Sequence, residues 1–321
     1  MVIDNVDRFR VAEPMFEGVR IILGFRGEHY TPEYIQGISG AAFRIAGICP
    51  CAANCSTQVS TTDLIKLCGY DYTESILGWT GDVEDAKQNV VTLIPRIKDS
   101  IRAGRPVLLW YGFADTAYEV VTGFDDTEGT FVGHHMWQGL EDKPATAKQT
   151  RAEEAAQICP AFGAIFVGDK VGTLDAHAAE VVALKEAVRH ARDSRVATDG
   201  PARQGLACYD YWADAFRDLE TKRTVGDSYC YFVYRSTHRA AGRFLREIAP
   251  KHPKAAALLV KAAREFIREA ATLDKAETLL AWDSPDQDPD RNAKLQPILA
   301  KARDHYAAGI AYIEEALPLL E

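Results

Sequence analysis

From Val83 to Ala103 the apolar residues Val90, Ile94, Ile97 and Ile101 recur at intervals of four, three and four, the period of one buried helix face. A helix is predicted there, ended by Gly104. Two shorter helices are predicted before it. TPEYIQGISG (31 to 40) offers Thr31 as N-cap, Pro32 at the first helical position and Glu33 in the first turn, where a negative charge suits the dipole. STTDLIKLCGY (60 to 70) opens in the same way and stops at Gly69.

Beyond Gly104 the pattern shortens to strands. RPVLLWYG (105 to 112), AYEVVTGF (117 to 124), GTFVGHHM (129 to 136) and FGAIFVGD (162 to 169) are rich in β-branched and aromatic residues. The second and third are joined by the turn sequence DDTEG, which predicts an antiparallel hairpin. From Thr173 onward helices are predicted over 174 to 193, 203 to 221, 226 to 249, 254 to 281 and 291 to 317, separated by TDGPARQG, APKHPK and SPDQDPDRN. In the last of them Ile298, Ala302, Tyr306, Ile313 and Leu317 fall on one stripe. The expected fold class is α+β: helices and then a largely antiparallel sheet over residues 1 to 172, followed by an α-helical domain over 173 to 321.

Composition narrows the function classes. The 321 residues are 47% hydrophobic and 26% charged, as in folded globular proteins. Lys and Arg are outnumbered 37 to 46, for a formal charge of −9. No basic run offers to neutralise phosphates, so a nucleic-acid partner is not expected. The N-terminal MVIDNVDRFRVAEP carries charges where a secretory signal needs an apolar stretch, and no window approaches the ~20 apolar residues that span a bilayer. The expectation is a cytoplasmic protein with no membrane partner, whose seven cysteines are reduced thiols. A small-molecule or peptide ligand is the expected partner, with self-association into a homo-oligomer left open.

YIQGISGAAFR (34 to 44), then GRPVLLWYG, AYEVVTGFDD and AFGAIFVGD in that order, resemble the papain-like, C39-peptidase-like family related to the N-terminal domain of the butirosin biosynthesis protein BtrH. GLACYDYWADAF (205 to 216) extends the resemblance into the helical region. It implies a nucleophilic Cys at the start of the first helix and a His from the central hairpin. The first position falls within Pro14 to Gly18, where the sequence is PMFEG, and the second within DTAYE (115 to 119). Neither holds a Cys or a His. The third member of the family's site falls near GHHMW, where His134 and His135 stand.

Chemistry is concentrated elsewhere, in GICPCAANCSTQ (47 to 58), which carries Cys49, Cys51 and Cys55. Three readings stand: soft ligands for zinc or an iron–sulfur group, completed by His134, His135 or Cys68; a relocated nucleophile working with His134 or His135; or small buried hydrophobes. On a strand the two histidines point to opposite faces, so only one can line a given pocket. Glu17, Arg44, Trp110, Tyr118 and Glu119 are the candidate ligand-binding residues. A charge embedded in AYEVV must face solvent, a partner or a site, and Arg44 is the expected partner of Glu119 or an anchor for an acidic ligand. Tyr231, Tyr234 and His238 are expected on one helix face, as core or as a wall for substrate. Two functions follow. One is an enzyme of thiol- or metal-dependent acyl transfer or amide hydrolysis; the other is a non-catalytic binding protein that keeps the fold.

Overall fold

The computed structural model describes residues 1 to 46, 60 to 77, 83 to 137, 143 to 157, 163 to 193, 203 to 217, 225 to 284 and 288 to 320. The elements are α1 (Glu17–Phe25), α2 (Pro32–Ile38), α3 (Thr61–Leu67), β1 (Tyr70–Ser75), α4 (Val83–Arg102), β2 (Val107–Trp110), β3 (Tyr118–Asp125), β4 (Thr130–His134), β5 (Ala145–Lys148), β6 (Ala164–Lys170), α5 (Ala176–Arg192), α6 (Gly205–Ala215), α7 (Val225–Ile248), α8 (Ala256–Leu273) and α9 (Pro289–Ala316). The fold class is α+β. Two compact units are present, one of Met1–Pro32 with Val59–Asp175 and the other of Glu33–Gln58 with Ala176–Glu321. The second junction lies close to the expected boundary, but the early segment from Glu33 groups with the helices, which the pattern along the chain did not predict.

In the first unit the sheet runs β1-β6-β2-β3-β4-β5, every neighbour antiparallel. The predicted hairpin is β3–β4, with Asp125 paired to Thr130 across the turn. All of β2 is buried, and so is β3 from Tyr118 to Phe124, so both faces of the central strands are covered. Leu108 pairs with Val120, and a Cβ on Gly18 of α1 would stand 2.7 Å from the Leu108 side chain. Leu108 and Val120 therefore face α1, and by alternation Leu109 and Val121 face the other side. Helix α4 buries Val90, Leu93, Ile97 and Ile101; Leu93 takes the place expected of Ile94. Helix α3 starts with a capping box: Ser60 Oγ accepts from Asp63 N at 3.0 Å, and Ser60 N donates to the Asp63 carboxylate at 3.1 Å.

The second unit is helical, and its core includes Leu295, Leu299, Ala302, Tyr306, Ile310 and Ile313 from one face of α9. Ile298 and Leu317, expected on that stripe, are only half-buried. After α2 the chain passes Gly40 in the left-handed region (φ 78°), makes a 3-10 turn over Ala41–Phe43 and extends at Arg44. Helical residues then grip it carbonyl by carbonyl. Tyr306 Oη donates to Phe43 O at 2.9 Å, His238 Nε2 to Arg44 O at 2.8 Å, Gly205 N to Ile45 O at 2.8 Å and Tyr234 Oη to Ala46 O at 2.6 Å. The Ile45 N–H donates to His190 Nε2 at 3.1 Å. Phe43 itself sits edge-on between Phe244 and Phe266. Tyr231, Tyr234 and His238 are thus core, as one of their two readings had it. No helix among the described residues is long and apolar enough to cross a membrane.

Candidate ligand-binding site

The start of α1 lies against the start of β3, where Tyr118 N donates to Pro14 O at 2.7 Å. The two segments to which the resemblance assigns the nucleophile and the histidine are therefore neighbours. Local chemistry explains the approach. Glu13 is buried, and its carboxylate accepts from Met15 N at 2.8 Å, Phe16 N at 2.6 Å and Glu17 N at 3.1 Å. Phe16 N and Glu17 N, at the N-cap and the first helical position, are among the amides that a helix leaves without internal partners at its N-terminus. Glycine at 18 lets the helix close on Leu108 and on the Tyr118 carbonyl. Beneath it Trp110 and Tyr118, paired across β2 and β3, meet edge to face with ring centroids 5.2 Å apart.

Glu17 and Glu119 are both fully buried carboxylates. Glu17 accepts from Arg20 Nε at 2.7 Å and Arg10 N at 3.1 Å, and Arg20 also bonds Asp7 at 2.8 Å. Burial pushes its carboxyl up to about 7 against the pull of Arg20. Glu119 accepts from the N–H groups of Phe113 and Ala114, and burial pushes it up to about 8 against those donors. The loop it holds contains two non-glycine residues in the left-handed region, Tyr111 (φ 66°) and Thr116 (φ 57°). From outside, Arg151 bonds the Tyr111 carbonyl at 2.9 Å, the Ala114 carbonyl at 3.2 Å and Asp115 at 2.6 Å. Glu119 is a loop-holding residue. Arg44 groups with the second unit, its guanidinium 3.4 Å from where a Gly40 Cβ would stand.

His134 closes β4 opposite Val120 and is buried. Cross-strand partners share a face, so His134 lies on the side of the sheet that carries Tyr118, Trp110 and α1. His135 follows the strand and is half-exposed. The arrangement gathers Pro14–Gly18, Trp110, Tyr118 and His134 at one place, with Glu119 on the reverse face. The thiols proposed to work with the histidines, Cys49, Cys51 and Cys55, lie outside the described residues. Burial pushes the Cys68 thiol, their suggested companion, up to about 12. No group of three or more His, Cys, Asp or Glu among the described residues is placed to hold a metal ion. Two features escaped the sequence: the Glu13 carboxylate on the amides at the start of α1, three residues ahead of the N-cap Phe16, and the buried His238–Glu269 pair, whose members are 31 residues apart.

No family model matches the chain, and no curated protein matches it significantly.

Proposed function

We propose that the protein is a non-catalytic binding protein for a small molecule or peptide, built on a papain-like scaffold whose reaction centre has been filled. The carrying observation is the Glu13 carboxylate seated on the Met15, Phe16 and Glu17 amides. A thiolate at such a helix start draws its low pKa from unpaired N–H groups and the dipole. Here the Glu13 carboxyl group already takes the Phe16 and Glu17 amides. Tyr118 and Trp110 occupy the neighbouring strand positions, leaving His134 as the imidazole on that face.

A second reading is favoured by the anchoring of Phe43–Ala46. Three residues after that fixed segment comes Cys49, so a thiol- or metal-dependent acyl transfer or amide hydrolysis would start from Cys49, Cys51 or Cys55. One experiment separates the two. Purified protein is treated with iodoacetamide at neutral pH, adducts are mapped by mass spectrometry, and bound zinc and iron are measured by elemental analysis. The binding-protein reading expects labelling no faster than that of free glutathione and no stoichiometric metal. A fast adduct on Cys49, Cys51 or Cys55, or one equivalent of metal, overturns it in favour of the second.

A further inference from the structure

The grip on Phe43–Ala46 contains one charged pair that neither functional reading uses. His238 and Glu269 are both fully buried, with Nδ1 2.6 Å from Glu269 Oε1. On the other side of the ring, Nε2 is 2.8 Å from Arg44 O. A carbonyl can only accept, so Nε2 carries a proton. Oε1 also accepts the Tyr209 hydroxyl, while Oε2 has no hydrogen-bond partner. The carboxylate therefore depends on the imidazolium for its counter-charge.

We propose that His238 and Glu269 form a proton-operated latch that holds the segment Phe43–Ala46 on the helical core, closed while His238 is the imidazolium and open once that proton is lost. The latch is independent of either functional reading. When Nδ1 loses its proton, a lone pair faces a buried carboxylate, and relief requires water to enter between α7 and α8 where Arg44 O is held. The other groups around the pair do not replace the charge. Tyr209 from α6 and Tyr306 from α9 are driven well above the usual phenol range, first by burial and then by Glu269, so both stay neutral. Tyr234 from α7 lies against the ring and is bonded to Ala46. His190 from α5 is lowered to about 4 by burial and then by the Arg44 guanidinium, so it too is neutral. That guanidinium acts on His190. Burial by itself disfavours the His238 imidazolium, but the charge and hydrogen bond of Glu269 outweigh it and raise the group above its ordinary value. A raised histidine contributes stability that is complete below the unfolded value of 6.5 and is lost as pH rises through the folded one, so the latch opens on the alkaline side.

The test is amide hydrogen exchange on the full chain between about pH 6 and pH 9.5, corrected for the intrinsic base-catalysed rate. The Ile45 and Ala46 amides are expected to lose protection by up to about tenfold per pH unit between 6.5 and the raised value of His238, and to level off above it. In His238→Gln and Glu269→Gln the corrected protection of Ile45 and Ala46 is expected to be flat with pH, whatever its level. A flat profile in the wild type, or the same pH-dependent loss in both variants, overturns the latch. Should the variants fail to fold, ¹⁵N shifts of His238 in the wild type decide: imidazolium at neutral pH is expected, and a neutral tautomer there refutes the proposal.

Discussion

Glu119 shows how a single buried charge is tolerated when its work is local. Its carboxylate fastens the amides of Phe113 and Ala114 and so fixes a loop with two strained residues. With the folded group raised from 4.5 to about 8, the native state binds the proton more tightly between those values, so stability falls as pH rises through that window. The upper limit is about 1.4 kcal/mol per pH unit. Glu119→Gln keeps an acceptor for the loop and removes the titration. Guanidinium denaturation at pH 5 and pH 8 should show the wild type losing stability relative to the variant; equal losses would mean that Glu119 stays ionised across the range. Of this residue the sequence disclosed that a charge inside AYEVV needed a reason. It did not disclose the reason, because the bonded amides lie in a loop whose conformation is set by Arg151, more than thirty residues downstream.

At the scale of elements, legibility followed burial. Strands β2, β3, β4 and β6 stand in the interior of the sheet and have the β-branched and aromatic runs that predict them. Strands β1 and β5, which were not predicted, are its two edges. YDYTES and ATAK have little apolar surface to bury; β5 alternates half-buried and exposed positions, so no hydrophobic period marks it. The edge at β1 relies instead on backbone geometry. Gly69 sits at φ 84°, its carbonyl accepts from Val171 N at 2.8 Å and Gly172 N at 2.9 Å, and a Cβ there would run into Gly172. Gly69→Ala meets both the left-handed backbone and the clash. It should cost roughly 2–4 kcal/mol in chemical denaturation, with exchange protection lost first across the β1–β6 pairing. A loss below ~1 kcal/mol would show that the turn can relax.

For the whole molecule, the informative departure from the sequence reading is that the helical unit is discontinuous. Periodicity places helices one at a time and carries no sign that residues 33 to 46 belong with a bundle starting at Ala176. Pro14–Gly18 and the start of β3, far apart in the sequence, are neighbours through the Tyr118 N to Pro14 O bond. The conspicuous cysteines lie outside the described residues. Phe43 tests the discontinuity directly. It is fully buried between Phe244 and Phe266, and Phe43→Ala should cost about 3–5 kcal/mol. Hydrogen exchange should report the loss in α7, α8 and α9; a loss confined to the sheet unit would contradict the grouping.

Synthesis gives that discontinuity a clock. Tyr306, whose hydroxyl secures the Phe43 carbonyl, lies 263 residues further along the chain. At roughly 5–20 residues per second, Phe43 leaves the ribosome about 10 to 50 s before its partner exists. During that interval the apolar segment around Phe43 is without the α7, α8 and α9 residues that cover it. The helical unit is closed between segments 263 residues apart, and Phe43–Ala46 stays exposed to a chaperone for as long as it waits.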